Sequence, residues 1–184
     1  MQDLIRLHLG CGGNILPGWQ NYDADVDITK PLPFTDNHAD AIFIEHCVEH
    51  VTSPDAMRFF EECLRVLKPG GVLRVSVPST TKIMNYGTQA YADFCHQKGF
   101  TAYPTIRAAA RAIVYHHGHM SAWTEDLLYA FLWAAGFGGV IASAVDGSWD
   151  KRMETAGNKS PNSHWKVIGR EFNDLETITC EATK

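Results

Sequence analysis

A chain of 184 residues, 45% hydrophobic and 20% charged, is long enough to bury a core and fits one ordinary globular domain, 1–184. Its 16 lysines and arginines against 21 aspartates and glutamates leave a net charge of −5, which provides no overall field to draw in nucleic acid or anionic lipid. Five cysteines without a Cys-x-x-Cys pair, no basic-then-apolar leader and no run near the roughly 18 apolar residues of a membrane span together lead us to expect a reducing, cytoplasmic setting with neither membrane nor nucleic-acid partners.

The first element is a short apolar run, Leu4, Ile5, Leu7 and Leu9, that stops at Gly10-Cys11-Gly12-Gly13. It is too short for a helix and reads as a buried strand. Glycines at its end allow positive φ values and close approach of a ligand, the device by which parallel sheets hold nucleotide-like molecules. Pro17-Gly18 then signals a turn where a long helix would otherwise follow, so a loop leads to a short second strand ending near Asp23. Asp40 to Ile44 reads as the next strand. Ser53-Pro54-Asp55 has the signature of a helix start, with Ser53 as cap and Pro54 in the first position. Met57, Phe60, Leu64 and Leu67 recur at helical spacing until Lys68-Pro69-Gly70-Gly71, and Val72 to Val77 is the following strand.

Residues 79–121 interrupt this alternation and predict two helices, near 88–98 and 104–115, as a helical insert placed to cover a substrate. Thr124 caps a further helix that ends at Gly136, and Val140 to Ala142 begins another strand. In the tail, Ile178, Cys180 and Ala182 alternate with Thr177, Thr179 and Glu181, the pattern of an antiparallel strand with one more polar face. The expected fold is α/β: a Rossmann-like, mostly parallel sheet with helices on both faces and a final antiparallel strand.

Three ordered blocks carry a family resemblance. They are Leu7 to Gly13, then Leu32-Pro33-Phe34 through Asp40 to His50, then Leu64 to Gly71, with Ala135-Gly136-Phe137 downstream. Together they resemble the class I S-adenosylmethionine-dependent methyltransferases, in particular the small methyltransferase domains whose second block reads roughly "LPF…D…EH..EH". The resemblance implies methyl transfer from S-adenosylmethionine to a small-molecule or saccharide-like acceptor. It implies a cofactor site at Gly10, Cys11, Gly12 and Gly13, a ribose acid at Asp23, and an adenine edge at Asp27 and Ile28. It also implies contacts from Glu45 and His46. Asp25 rivals Asp23, because Gly10 and Asp23 lie 13 residues apart against the about 20 of the usual dinucleotide fingerprint. Cys11 reads as a small buried residue.

For proton abstraction from the acceptor, His119 is the first candidate and His50 the second. His116, His117 and His119 cluster, but no carboxylate or cysteine accompanies them between 101 and 120, and no metal is assigned. Lys151, Arg152, Lys159, Lys166 and Arg170 against Glu154 would favour an anionic acceptor if that segment folded over the site. Two other readings compete. One is a non-catalytic cofactor-binding or scaffold domain of the same fold, suggested by the missing first helix. The other is a zinc hydrolase, because His46-Cys47-Val48-Glu49-His50 spells H-x-x-E-H. That motif needs a helix, whereas the helix signals here begin only at Ser53.

Overall fold

A computed structural model describes residues 3–99, 104–144, 148, 150–153 and 170–184. Six strands form one sheet: β1 (Arg6–Leu9), β2 (Gln20–Tyr22), β3 (Ala39–Glu45), β4 (Leu67–Pro78), β5 (Gly138–Ala142) and β6 (Thr177–Thr183). Their order is β2-β1-β3-β4-β6-β5. The β2-β1-β3-β4 half is parallel, and β6 runs antiparallel to both β4 and β5. The Rossmann-like, mostly parallel sheet with a final antiparallel strand is thus present. The reversed strand is inserted between its neighbours, not added at the edge.

Register places Leu7 opposite Ile42, Ile42 opposite Leu73, and Leu73 opposite Ala182, so one apolar row crosses four strands. Onto this row pack α1 (Ser53–Val66), through Phe59, Phe60 and Cys63, and α5 (Glu125–Ala134), through Leu128 and Leu132. Each such side chain taken out of water contributes about 1.5–3 kcal/mol, which makes this layer the main source of stability. The opposite face of the sheet turns Phe43 and Ala41 toward Leu16, Trp19 and Met153.

Between β4 and α5 lie three helices, α2 (Thr80–Tyr86), α3 (Gln89–Gln97) and α4 (Ile106–Tyr115). Ile83, Tyr91, Cys95 and Ala109 give them a small core of their own, closed by Phe172 and Leu175 of α6 (Arg170–Glu176). The insert therefore contains one more helix than its sequence suggests. Ser79 accepts a hydrogen bond from the Lys82 amide to start α2, a cap signal that seven residues of weak periodicity obscure. No described helix is long and apolar enough to cross a membrane.

Three local expectations are corrected. The cap of α1 is Thr52, whose hydroxyl accepts from the Asp55 amide, and Ser53 is the first helical residue. Strand β4 begins at Leu67 instead of Val72, because Gly70 and Gly71 exchange backbone hydrogen bonds with Lys184 at 3.0 Å each. The polar face of β6 is buried. Glu181 pairs with the fully buried Arg74 at 2.6 Å, and Thr179 with Ser76 at 2.8 Å. Arg74 also donates to Ser143 and to the Ala144 carbonyl, so the charge is both paired and hydrogen-bonded, as an interior guanidinium must be.

Candidate active site

At the carboxyl end of β1 the chain turns through Gly10 and Gly12, with φ of +64° and +48°. A Cβ on Gly10 would lie 2.6 Å from Cys47 Sγ, so packing alone requires glycine there. Nothing lies within 4 Å of a Cβ on Gly12 or Gly13, and the turn opens to solvent above them. Asp23 accepts a hydrogen bond from the Gly12 amide at 3.1 Å, and Asp25 accepts from the Asp23 amide at 2.8 Å. The loop that replaces a first helix is clamped by Asn21. Its side chain accepts from the Leu16 amide and donates to the Leu16 and Trp19 carbonyls. His8 lies 3.1 Å from the same amide oxygen, which can only accept, so Nδ1 donates. Burial lowers the His8 pKa and keeps that ring neutral.

The other predicted cofactor residues fall into two groups. Cys11 is buried at 6% exposure, and its amide pairs with the Tyr22 carbonyl. The Asp27 carboxylate is turned onto the Thr29 hydroxyl and amide, and those hydrogen bonds lower its pKa. Ile28 belongs to the main core. Asp23 is therefore the acid that the fold sets against the glycine turn, while Asp27 stays exposed on its own loop and Ile28 is buried beside it.

Strand β3 ends at Glu45, and the next residue, His46, takes a φ of +48°. A non-glycine residue there carries backbone strain of about 1–3 kcal/mol and is found where a side chain must be re-aimed. The His46 ring contacts Thr177 through Nε2 at 3.0 Å and Glu49 through Nδ1 at 3.4 Å. Thr177 gives its own proton to Asn173, so both ring nitrogens donate. Burial opposes the charged ring, but the hydrogen bond and charge of Glu49, with Glu45 and Glu176 beyond, raise the His46 pKa overall. Burial pushes the Cys47 thiol up to about 12, which removes it as a nucleophile near neutrality.

Beyond His46 opens a cavity of about 290 Å³. His46, Glu49, His50, His117, His119 and Glu176 supply its polar wall, and Tyr91, Phe94, Ala112 and Ile113 of α3 and α4 its apolar wall. The Glu49 carbonyl accepts from the amides of Met120 and Ser121 at 2.8 and 3.1 Å, which straps the end of the insert to this turn. Hence His119 and His50 stand ring to ring, with centroids 4.8 Å apart. His119 Nδ1 donates to the Ile113 carbonyl, and burial lowers the pKa of this ring. His117 also lines the cavity, while His116 is exposed.

Only Val48–His50 are helical within the H-x-x-E-H stretch, as a single 3-10 turn. His46 lies outside it and turns to Thr177, so His46 and His50 do not share a helix face and the peptidase arrangement is not formed. Tyr91 and Glu176 were not singled out from the sequence. They join through a hydrogen bond between α3 and α6, 85 positions apart, which no local pattern announces. Of the basic segment, Lys159, Lys166 and Glu154 lie outside the described residues. Arg152 pairs with Asp150 at 2.6 Å and donates to the Gly70 carbonyl, at the far end of the sheet from the cavity, and so lends the site no positive charge.

Residues 16–75 match the family model described as a methyltransferase domain. A ubiquinone/menaquinone biosynthesis C-methyltransferase of Pseudomonas savastanoi is 41% identical over 90 residues, covering 47% of this chain and 31% of that protein. An uncharacterized methyltransferase of Mycolicibacterium vanbaalenii is 30% identical over 119 residues, covering 61% and 42%. The chain thus spans under half the length of these relatives. Among solved structures, a SAM-dependent methyltransferase from Archaeoglobus fulgidus superposes with a TM-score of 0.55 at 15% identity, covering 98% of this chain and 86% of the other. The Haemonchus contortus phosphoethanolamine N-methyltransferase 2 in complex with S-adenosyl-L-methionine gives 0.56 at 13% identity, with 100% and 49% covered. Sheet order agrees with these likenesses: residues 16–75 match a methyltransferase domain, and the chain shares the fold of the S-adenosylmethionine-dependent methyltransferases on which it superposes.

Proposed function

We propose that the domain transfers a methyl group from S-adenosylmethionine to a small, flat acceptor through a hydroxyl oxygen. One observation carries this reading. The glycine turn packs against Cys47, and its neighbours His46, Glu49 and His50 line the cavity, so the cofactor cradle and an acceptor chamber meet at one strand end. Ligands in open parallel sheets bind at this carboxyl edge.

The residues fit the cofactor. Gly12 and Gly13 leave open space for the methionine portion, and Asp23, held by the Gly12 amide, keeps an exposed carboxylate for ribose hydroxyls. When bound, the cofactor supplies a methyl group already activated by its sulfonium. The absence of a long helix after β1 matters little here, because no pyrophosphate has to face a helix N-terminus. Asp27 and Ile28 are assigned to the adenine edge with Asp25 as reserve, while Glu45 and His46 close the cradle from β3. The protein's own work is to align the acceptor and exclude water, for which the walls from α3 and α4 serve. His119, with Nδ1 committed to Ile113, keeps Nε2 as a proton acceptor, and His50 stands beside it.

Tyr91, Phe94 and Ile113 favour an aromatic acceptor over a saccharide, and the relatives in Pseudomonas are named as C-methyltransferases of ubiquinone/menaquinone biosynthesis. Calorimetric titration with S-adenosylmethionine and S-adenosylhomocysteine tests the reading. The expected result is micromolar binding that Asp23→Ala weakens by more than about 1.4 kcal/mol, a tenfold loss. A labelled methyl group should then appear in phenolic acceptors. Folded protein that binds neither ligand would overturn the proposal, and binding without transfer to any acceptor would leave a scaffold domain.

A further inference from the structure

Glu49, His50 and His119 bring one carboxylate oxygen and two imidazole nitrogens within 4.8 Å of one another on the cavity wall. The trio is assembled by the fold, since His50 and His119 are 69 positions apart and meet only because Met120 and Ser121 are bonded to the Glu49 carbonyl. A second observation is independent of this proximity. Glu49 is 1% exposed, and its Oε2 has no hydrogen-bond partner among the described residues. A carboxylate oxygen removed from water and given no donor is costly, and a cation is the partner that such an atom accepts.

The surroundings are those of metal ligands. The Ile113 carbonyl takes the Nδ1 proton of His119 and so fixes the tautomer whose Nε2 lone pair is available. His46 contacts the other oxygen of Glu49 at 3.4 Å and orients the carboxylate. Two imidazoles and one carboxylate suit zinc and its first-row neighbours better than magnesium or calcium, and three protein ligands leave positions for substrate.

We infer that Glu49, His50 and His119 bind one divalent transition-metal ion, of the zinc class, that faces the acceptor cavity. Its role rests on the methyl-transfer reading. An acceptor hydroxyl bound to the ion releases its proton to solvent. The oxygen then attacks the methyl carbon, the new O–C bond forms as the C–S bond breaks, and the sulfonium leaves as a neutral thioether. In the loaded protein, His50 and His119 thus hold the ion instead of taking the proton.

The test uses untagged, chelator-stripped protein titrated with zinc chloride, with cobalt(II) absorption as a second readout. S-adenosylhomocysteine affinity is measured on the same samples. The expected result is one equivalent of zinc at submicromolar Kd and cobalt bands of a four- or five-coordinate site. His50→Ala, an exposed position that does not threaten folding, and Glu49→Gln should each weaken zinc binding at least about a hundredfold. His116→Ala, an exposed ring in the same loop, should leave it unchanged. Submicromolar zinc binding that resists both ligand variants, or the absence of one tight equivalent, would overturn the site and leave Glu49 to a buried water. If zinc binds as expected but S-adenosylhomocysteine does not, the metal site stands and the methyl-transfer reading fails.

Discussion

The two halves of the candidate site are built differently. The glycine turn and its acid come from Leu9 to Asp23, one continuous stretch whose contacts are short-range: Gly12 to Asp23, Asn21 to Leu16, Cys11 to Tyr22. The cavity is gathered from residues 46–50, 91–95, 109–119 and Glu176, and held by bonds such as Tyr91 to Glu176 and Met120 to Glu49. The first is a backbone device, in which conformation and one carboxylate suffice. The second is a side-chain device, in which helices that share little with the main sheet bring chemistry to its edge. A domain can hence keep its cofactor side while the acceptor side changes, because the two share little more than Glu45 to Cys47.

Substitutions should separate the halves. The largest effect is expected from Gly10→Ala, which forces a Cβ against Cys47 at a positive φ. Steric strain and the left-handed backbone together should cost about 2–4 kcal/mol in urea unfolding and abolish cofactor binding. On the cavity side, Tyr91→Phe removes the hydroxyl that donates to the buried Glu176 carboxylate. It should cost about 1–3 kcal/mol of stability while S-adenosylhomocysteine affinity stays within about twofold. Loss of cofactor affinity in Tyr91→Phe would show that the halves are coupled. Asp23→Ala should do the reverse, with a tenfold or greater loss of cofactor affinity and an unfolding midpoint close to that of the parent protein. Asp25→Ala should fall between Asp23→Ala and Asp27→Ala, because Asp25 acts by holding the Asp23 amide. The smallest effect, about 1 kcal/mol, is expected from Thr124→Ala, which removes the cap of α5 and touches neither half.

The same division explains what the sequence revealed. Strand β1, the glycine turn, α1, α5 and the antiparallel tail are written in local patterns: an apolar run, helical spacing from Met57 to Leu67, Thr124 before Leu127 and Leu128, and strict alternation from Thr177. Asp23 was legible because it ends the strand beside the turn. The early start of β4 was not, because Gly70 and Gly71 extend the strand only by bonding Lys184 at the other end of the chain. The burial of the polar face of β6 depends on Arg74 and Ser76 across the ladder, which one strand's alternation cannot report. His119 drew notice as one of three clustered histidines, yet its carboxylate partner lies outside that cluster, at Glu49, in a motif whose spacing had suggested a different metal chemistry.

Amide hydrogen exchange with and without S-adenosylhomocysteine tests the central claim most directly. The account expects slowed exchange in residues 10–13, 22–25 and 44–47, with α4 unchanged by the cofactor alone. Protection confined to the α3–α4 insert, with none at the glycine turn, would contradict it.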